Sequence, residues 1–144
     1  MSAVEDKLAI YDLYAEYVAR TDACDWRGVA ELFTADGVFE GRIGHALGRQ
    51  AIGNMLVEMN PTATSGPKRR HICANPQIKL DGDQAAVRAS YLVFMDRGDG
   101  PLPIIFGTYI DKLTRDQGVW KFAHHMLVHD IASADIGLNK PLPG

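Results

Sequence analysis

The hydrophobic period of this chain changes once, about halfway along, from helical spacing to strand alternation. Up to about Thr21 the apolar residues Leu8, Tyr11, Tyr14 and Val18 step by three and four, with Ile10, Leu13 and Tyr17 widening the stripe. That spacing predicts a helix with one broad buried face. Asp25 then caps a short second helix, "WRGVAELF", which "TADG" stops. "VFEGRI" reads as a strand and a turn. After Gly48, "RQAIGNMLVEM" reads as a third helix with Ile52, Met55, Leu56 and Met59 on one side, ending before Pro61. "NPTATSGPKRR" follows as a polar loop, a candidate rim or lid. Beyond it, "RHICANPQIKL", "QAAVRASYLVFM", "PIIFGTYIDKLTR" and "GVWKFAHHMLVH" are four strands separated by the turn formers "DGD", "RGDG" and "RDQG". Pro76 implies a bulge or bend in the first of them. Helices followed by an antiparallel meander predict an α+β domain whose curved sheet wraps around the N-terminal helices.

A length of 144 residues suits one domain, 1–144, able to bury about two thirds of its extended surface. Residues 131–144 read as a tail lying over the pocket or against a neighbouring subunit. With 15 basic against 18 acidic residues and a net charge of -3, the chain has no broad attraction to nucleic acid or an anionic membrane. "PKRR" is too short a basic cluster to change that. Acidic residues precede any apolar run in "MSAVEDKLAI", and no apolar stretch is long enough for a membrane span, so neither a signal peptide nor a span is expected. Cys24 and Cys73 form no close metal pair and no disulfide framework, which suits a reducing cytosol.

The chemistry-bearing residues are few. Asp22 stands in the last turn of the first helix, where the macrodipole opposes negative charge, so it calls for a partner. His71 opens a strand and shares a face with Cys73. An aspartate accepting from one ring nitrogen leaves the other free to take a proton, which makes Asp22 and His71 a candidate orienter and base. The plain alternative is a surface aspartate and a structural histidine. Tyr14 and Tyr17, on the same helix, can polarise a carbonyl or hold a leaving oxygen, or can simply pack. In "HHMLVH", His125 and His129 share one face and His124 points the other way. Four residues along a strand is about 13 Å, too far for one metal ion. His125, turned inward, can hold a leaving group or an oxyanion. Phe39, Met55 and Phe106 are expected to line the substrate cavity, together with Leu56, Leu92, Phe94 and Leu127. No glycine-rich phosphate loop, nucleophile elbow, H-E-x-x-H or C-x-x-C pattern is present, leaving cofactor-free proton transfer as the main enzymatic option.

Taken in order, "IYDLYAEYVARTDACDWRGVAELFTADGVF", "GRQAI", "RRHICANPQIKLDGDQAAVRASY" and "GTYIDKLTRDQGVWKFAHH" resemble the SnoaL-like branch of the NTF2-like superfamily over nearly the whole chain. The resemblance implies a cone-shaped α+β fold. Within the superfamily the chain looks most like the group of scytalone dehydratase, hexachlorocyclohexane dehydrochlorinase and bile acid 7α-dehydratase. That group implies a His-Asp dyad, with Asp22 matching the helix-end aspartate and His71 the strand-opening histidine. Tyr17 falls near a polar position that helps bind the leaving group, and His125 stands where the dehydrochlorinase has an arginine. No histidine occurs in "PIIFGTY", where scytalone dehydratase carries a second one. The implied function is a cofactor-independent lyase of the dehydratase type, acting on a small hydrophobic cyclic or polyketide- or steroid-like molecule. A proton-transfer isomerase, a polyketide cyclase and a non-catalytic binding or assembly domain are the alternatives. The expected partners are that small molecule and further copies of the chain, with a trimer preferred to a dimer, and no nucleic acid or membrane. The expected location is the cytoplasm.

Overall fold

The computed structural model describes residues 1–60, 68–96 and 98–132. Helix α1, Ala3–Asp22, begins in a capping box: Ser2 Oγ accepts from Glu5 N–H, and Glu5 Oε2 accepts from Ser2 N–H at 2.6 Å. Its buried stripe is Ile10, Leu13, Tyr14 and Tyr17, joined by Asp6. Leu8 and Tyr11, expected in that stripe, are 60% and 51% exposed. The helix carries two overlapping apolar stripes, and the sheet takes the one containing Tyr14. Asp6 ties the start of α1 to the far end of the sheet, accepting from Arg115 Nη1 at 2.7 Å and from Trp120 Nε1 at 2.9 Å.

Asp25 caps α2, Trp26–Glu31, by accepting from Gly28 N–H at 2.9 Å. A Cβ at Gly28 would lie 1.9 Å from the capping carboxylate, so the cap itself demands glycine inside the helix. "TADG" does not stop this helix; Leu32 does, and Thr34–Gly37 belong to strand β1, Phe33–Gly41. The irregularity of that polar stretch is absorbed as a register shift against the neighbouring strand between Phe33 and Val38. A short strand β2, Gly44–Leu47, was not expected from the sequence; it forms the second arm of a tight hairpin with β1. Helix α3, Arg49–Met59, buries Ile52, Gly53 and Leu56, while Met55 is half-buried and Met59 is 41% exposed.

The four later strands are β3, Lys68–Asp81; β4, Gln84–Asp96; β5, Pro101–Asp116; and β6, Val119–Ala132. The sheet order is β2-β1-β6-β5-β4-β3, antiparallel throughout except for the parallel β1–β6 pair. It is a curved, unclosed mixed sheet against the N-terminal helices, in keeping with the α+β expectation. Pro76 sits in the bulge between Ala74 and Gln77, with Asn75 at φ 54°. The inner face of the sheet presents Ala89, Tyr91, Val93, Tyr109, Asp111, Leu113, Phe122, His125, Leu127 and His129, all buried.

Leu92, Phe94 and Phe106 were expected in the cavity, yet strand alternation puts them on the outer face. "SYLVFM" and "PIIFGTY" are apolar on both faces, so the sequence carries no phase there. No described helix is long and apolar enough to cross a membrane. The loop 61–67 and the tail beyond Ala132 lie outside the described residues.

Candidate active site

Asp22 is the last residue of α1, and β3 passes directly over it. Its Oδ1 accepts from the His71 backbone N–H at 3.0 Å and faces His71 Nδ1 at 2.7 Å. Arg70 Nε lies 3.3 Å from Oδ2. These donors offset the unfavourable helix-end position of the carboxylate. They also settle the direction of the ring contact. A carboxylate oxygen accepts the hydrogen of Nδ1, and in the neutral imidazole that leaves the Nε2 lone pair free. The side chains of His71 and Asp22 are 17% and 13% exposed, so the pair is sheltered but reachable.

Strand register orders the rest of the inner face into rows. His71, Val93 and Ile105 form one row, and Cys73, Tyr91, Gly107 and His129 form the next. Deeper lie Ala89, Tyr109 and Leu127, and then Val87, Asp111, His125 and Phe39. A cross-strand row places side chains as close neighbours on one face. The deep row is a second His–Asp pair. Asp111 Oδ1 faces His125 Nδ1 at 2.9 Å and accepts from Met126 N–H at 3.1 Å, while Tyr14 donates its hydroxyl to Oδ2. Both acidic and imidazole side chains are 0% exposed. Aromatic rings enclose His125, with the centroids of Tyr17, Tyr109, Phe122 and Phe39 at 4.6, 4.8, 4.8 and 5.6 Å.

Burial pushes the Tyr17 hydroxyl well above the ordinary phenol range, and the Asp111 charge adds to it, so Tyr17 is a neutral donor. The Tyr14 hydroxyl rises for the same two reasons in the same order. Burial holds the Cys73 thiol up at about 12, which makes it inert beside the dyad. Neither cysteine is in a disulfide.

The structure therefore joins Asp22 to His71, and gathers Tyr14, Tyr17, Phe39 and His125 around the deep row. Met55 packs by Gly44 at the β1–β2 hairpin, where an added Cβ would meet its sulfur at 2.5 Å. Phe106 is 43% exposed on the outer face and does not reach the site. His124 bonds Glu40 across the outer face through Nε2 at 2.7 Å. Asp111 went unread in the sequence, although a signal was there: in "YIDKL" it alternates in phase with Tyr109 and Leu113, a charge on a buried apolar face. A surface cleft of about 380 Å³ lined by Arg27, Glu31, Arg49 and Gln50 lies apart from these groups. Its Arg49 is already engaged by Glu31 and by the Phe33 carbonyl, so it offers no comparable chemistry. Among the described residues no cluster of three or more His, Cys, Asp or Glu is placed to hold a metal ion.

Comparison with known proteins places this arrangement in context. The family described as "SnoaL-like domain" matches residues 2–125. No curated protein matches the chain. Among solved structures, a variant of Rv3472, a protein of unknown function from Mycobacterium tuberculosis, is 28% identical with a TM-score of 0.79, covering 94% of this chain and 80% of that one. ActVI-ORFA from Streptomyces coelicolor is 22% identical, covers 86% of this chain and 97% of its own, and has a TM-score of 0.76. A protein from Novosphingobium aromaticivorans described as "Putative Scytalone Dehydratase" is 22% identical, with 90% and 87% coverage and a TM-score of 0.77. At the identities of the last two, the likeness concerns the fold.

Proposed function

The chain belongs to the SnoaL-like domain family, and from that premise we propose that it is a cofactor-independent lyase acting on a small hydrophobic cyclic molecule of polyketide- or steroid-like shape. The observation that supports this reading is the 2.7 Å contact between Asp22 Oδ1 and His71 Nδ1, which suits Asp22 to orient the ring and Nε2 to serve as the base. In the proposed step Nε2 takes the proton from a carbon α to a carbonyl. The C–H electrons form the new C=C bond as the Cβ–O bond breaks, and the departing hydroxyl takes the proton back from His71 Nε2 to leave as water, which returns the imidazole to its neutral form. Tyr17 and His125 face the developing or departing oxygen from the deep side of the cone, where exclusion of water strengthens each contact. Five residues of helix separate Tyr17 from Asp22, a rise of about 7.5 Å, which suits a substrate of two or three fused rings.

A panel of cyclic β-hydroxyketones, followed by ultraviolet absorbance for enone formation and by NMR in heavy water for α-proton exchange, tests the reading. The wild-type chain should form enone, and His71→Asn and Asp22→Asn should lower the rate by a factor on the order of a hundred or more. Turnover that survives His71→Asn would sink the reading. Exchange without water loss, or migration of a double bond in β,γ-enones, would move it to the isomerase or cyclase that shares its first step. Self-association accompanies this reading, with a trimer preferred to a dimer. The outer face supports it, because Ile72, Leu92, Phe106 and Ile131 stand in one cross-strand apolar row.

A further inference from the structure

Buried polar groups in folded proteins nearly always find a hydrogen-bond partner. Here several inner-face atoms are shut off from solvent and bonded to nothing: Tyr109 Oη and His125 Nε2 in the deep part, and Tyr91 Oη, His129 Nδ1 and Arg42 Nε nearer the sheet end. The deep pair belongs to the site already described. The other three belong to none of its steps, and they converge. Cys73, Tyr91, Gly107 and His129 share one row, and Tyr91 leans across Gly107, where an added Cβ would meet its ring at 2.3 Å. That tilt brings the Tyr91 and His129 rings to 6.2 Å between centroids. Arg42 follows Gly41, which pairs with Leu127, so the turn sets Arg42 by the same end of β6, near enough for its charge to act on His129. Tyr91 and His129 are 2% and 8% exposed, and Arg42 is half-buried.

The charge is the telling part. Arg42 Nε is shut off from solvent while the residue as a whole is half-buried; a partly desolvated guanidinium favours an anion beside it, and among the described residues no carboxylate pairs with Arg42. Asp130, next to His129, is exposed and accepts from Thr108 instead at 2.6 Å. Burial and then the Arg42 charge push His129 below the usual imidazole range, which agrees with a positive group left uncompensated beside it.

We propose that Arg42, His129 and Tyr91 form a second polar pole of the cone, a subsite for an anionic oxygen group, of which an aromatic carboxylate is the simplest carrier. His129 lies four residues along β6 from His125, about 13 Å. A ligand with one oxygen on His125 and a carboxylate at this pole is elongated, with fused rings between. The inference rests on the proposed function only in taking the cone as the ligand site, and it deepens that reading by giving the substrate a charged end.

The test is binding rather than turnover, so that failure of the elimination chemistry and failure of the subsite remain distinct. Titration calorimetry would compare 6-hydroxy-2-naphthoate with 2-naphthol, which lacks the carboxylate. The wild-type chain should hold the naphthoate about tenfold more tightly, the worth of a sheltered charge-assisted contact. Arg42→Gln should erase that preference and leave naphthol affinity unchanged, and Arg42→Lys should keep part of it. Should Arg42→Gln fail to fold, Tyr91→Phe removes a single oxygen and should weaken naphthoate alone by about fivefold. Equal affinity for the two compounds, binding of neither, or a preference that survives Arg42→Gln would overturn the subsite.

Discussion

Asp111 accepts from the Tyr14 hydroxyl, His125 Nδ1 and the Met126 amide in a place no water reaches. Replacing it with alanine strands those donors, and each stranded buried group costs about 1–3 kcal/mol. Asp111→Ala is therefore expected to lower the unfolding free energy by about 3 kcal/mol or more in urea titrations; a loss below about 1 kcal/mol would show that the cluster repacks freely. His129 yields a pH dependence. Burial and the Arg42 charge depress its folded value below the ordinary 6.5. Between those two values the unfolded chain binds more protons than the folded one, so stability rises with pH. The contribution is fully present above about 6.5 and is lost as pH falls through the folded value. His129→Gln should flatten the fall in melting temperature on the acid side of about pH 6.5, and identical slopes in the two proteins would rule the effect out. Cys73, its thiol held up at about 12, should resist iodoacetamide at mildly alkaline pH until the chain unfolds. At this scale the sequence was legible for Asp22 and His71, whose types and places matched a family pattern. Arg42 was not legible, because a lone arginine in a turn looks solvated until the fold shows what lies beside it.

The elements were legible in existence and less so in facing. Caps and turn formers mark boundaries through local backbone chemistry, so Asp25 opens its helix and "DGD" and "RDQG" separate the long strands. Facing depends on what packs opposite. Gly107 shows the consequence within one strand. Its φ is ordinary and its role is space: a Cβ there would come within 2.3 Å of the Tyr91 ring and 2.5 Å of the Val128 carbonyl. Gly107→Ala must tip Tyr91 off its stack on Tyr109, whose centroid lies 4.1 Å away. The expected loss is about 2 kcal/mol, typical of overpacking, with an altered near-ultraviolet circular dichroism spectrum. An unchanged spectrum and stability would mean that the ring tilts at no cost. By contrast, "TADG" was misread because polar and glycine residues signal a stop equally well for a helix end and for an irregular strand.

Taken whole, the molecule has an apolar inner face that carries a few buried polar groups, and its outer face is polar apart from one apolar row. Ile72, Phe106 and Ile131 are 48%, 43% and 68% exposed along one cross-strand row. If copies of the chain meet there, Phe106→Glu should shift the mass measured by light scattering from oligomer to monomer while leaving the melting curve of the fold nearly intact. A monomeric wild-type chain would exclude that use of the face. The sequence by itself determined the α+β class, the four-strand meander and the bulge at Pro76, and it offered Asp22 and His71 as a candidate pair. Each follows from local periodicity, turn chemistry or a motif carried in fixed order. Only the tertiary structure decided which stripe of α1 is buried, which side of "SYLVFM" and "PIIFGTY" faces the helices, and that Asp111 locks His125 while the Arg42 charge bears on His129. Those outcomes depend on the curvature of the sheet and on contacts between residues far apart in the chain. An apolar run with two acceptable faces leaves that choice to whatever packs against it.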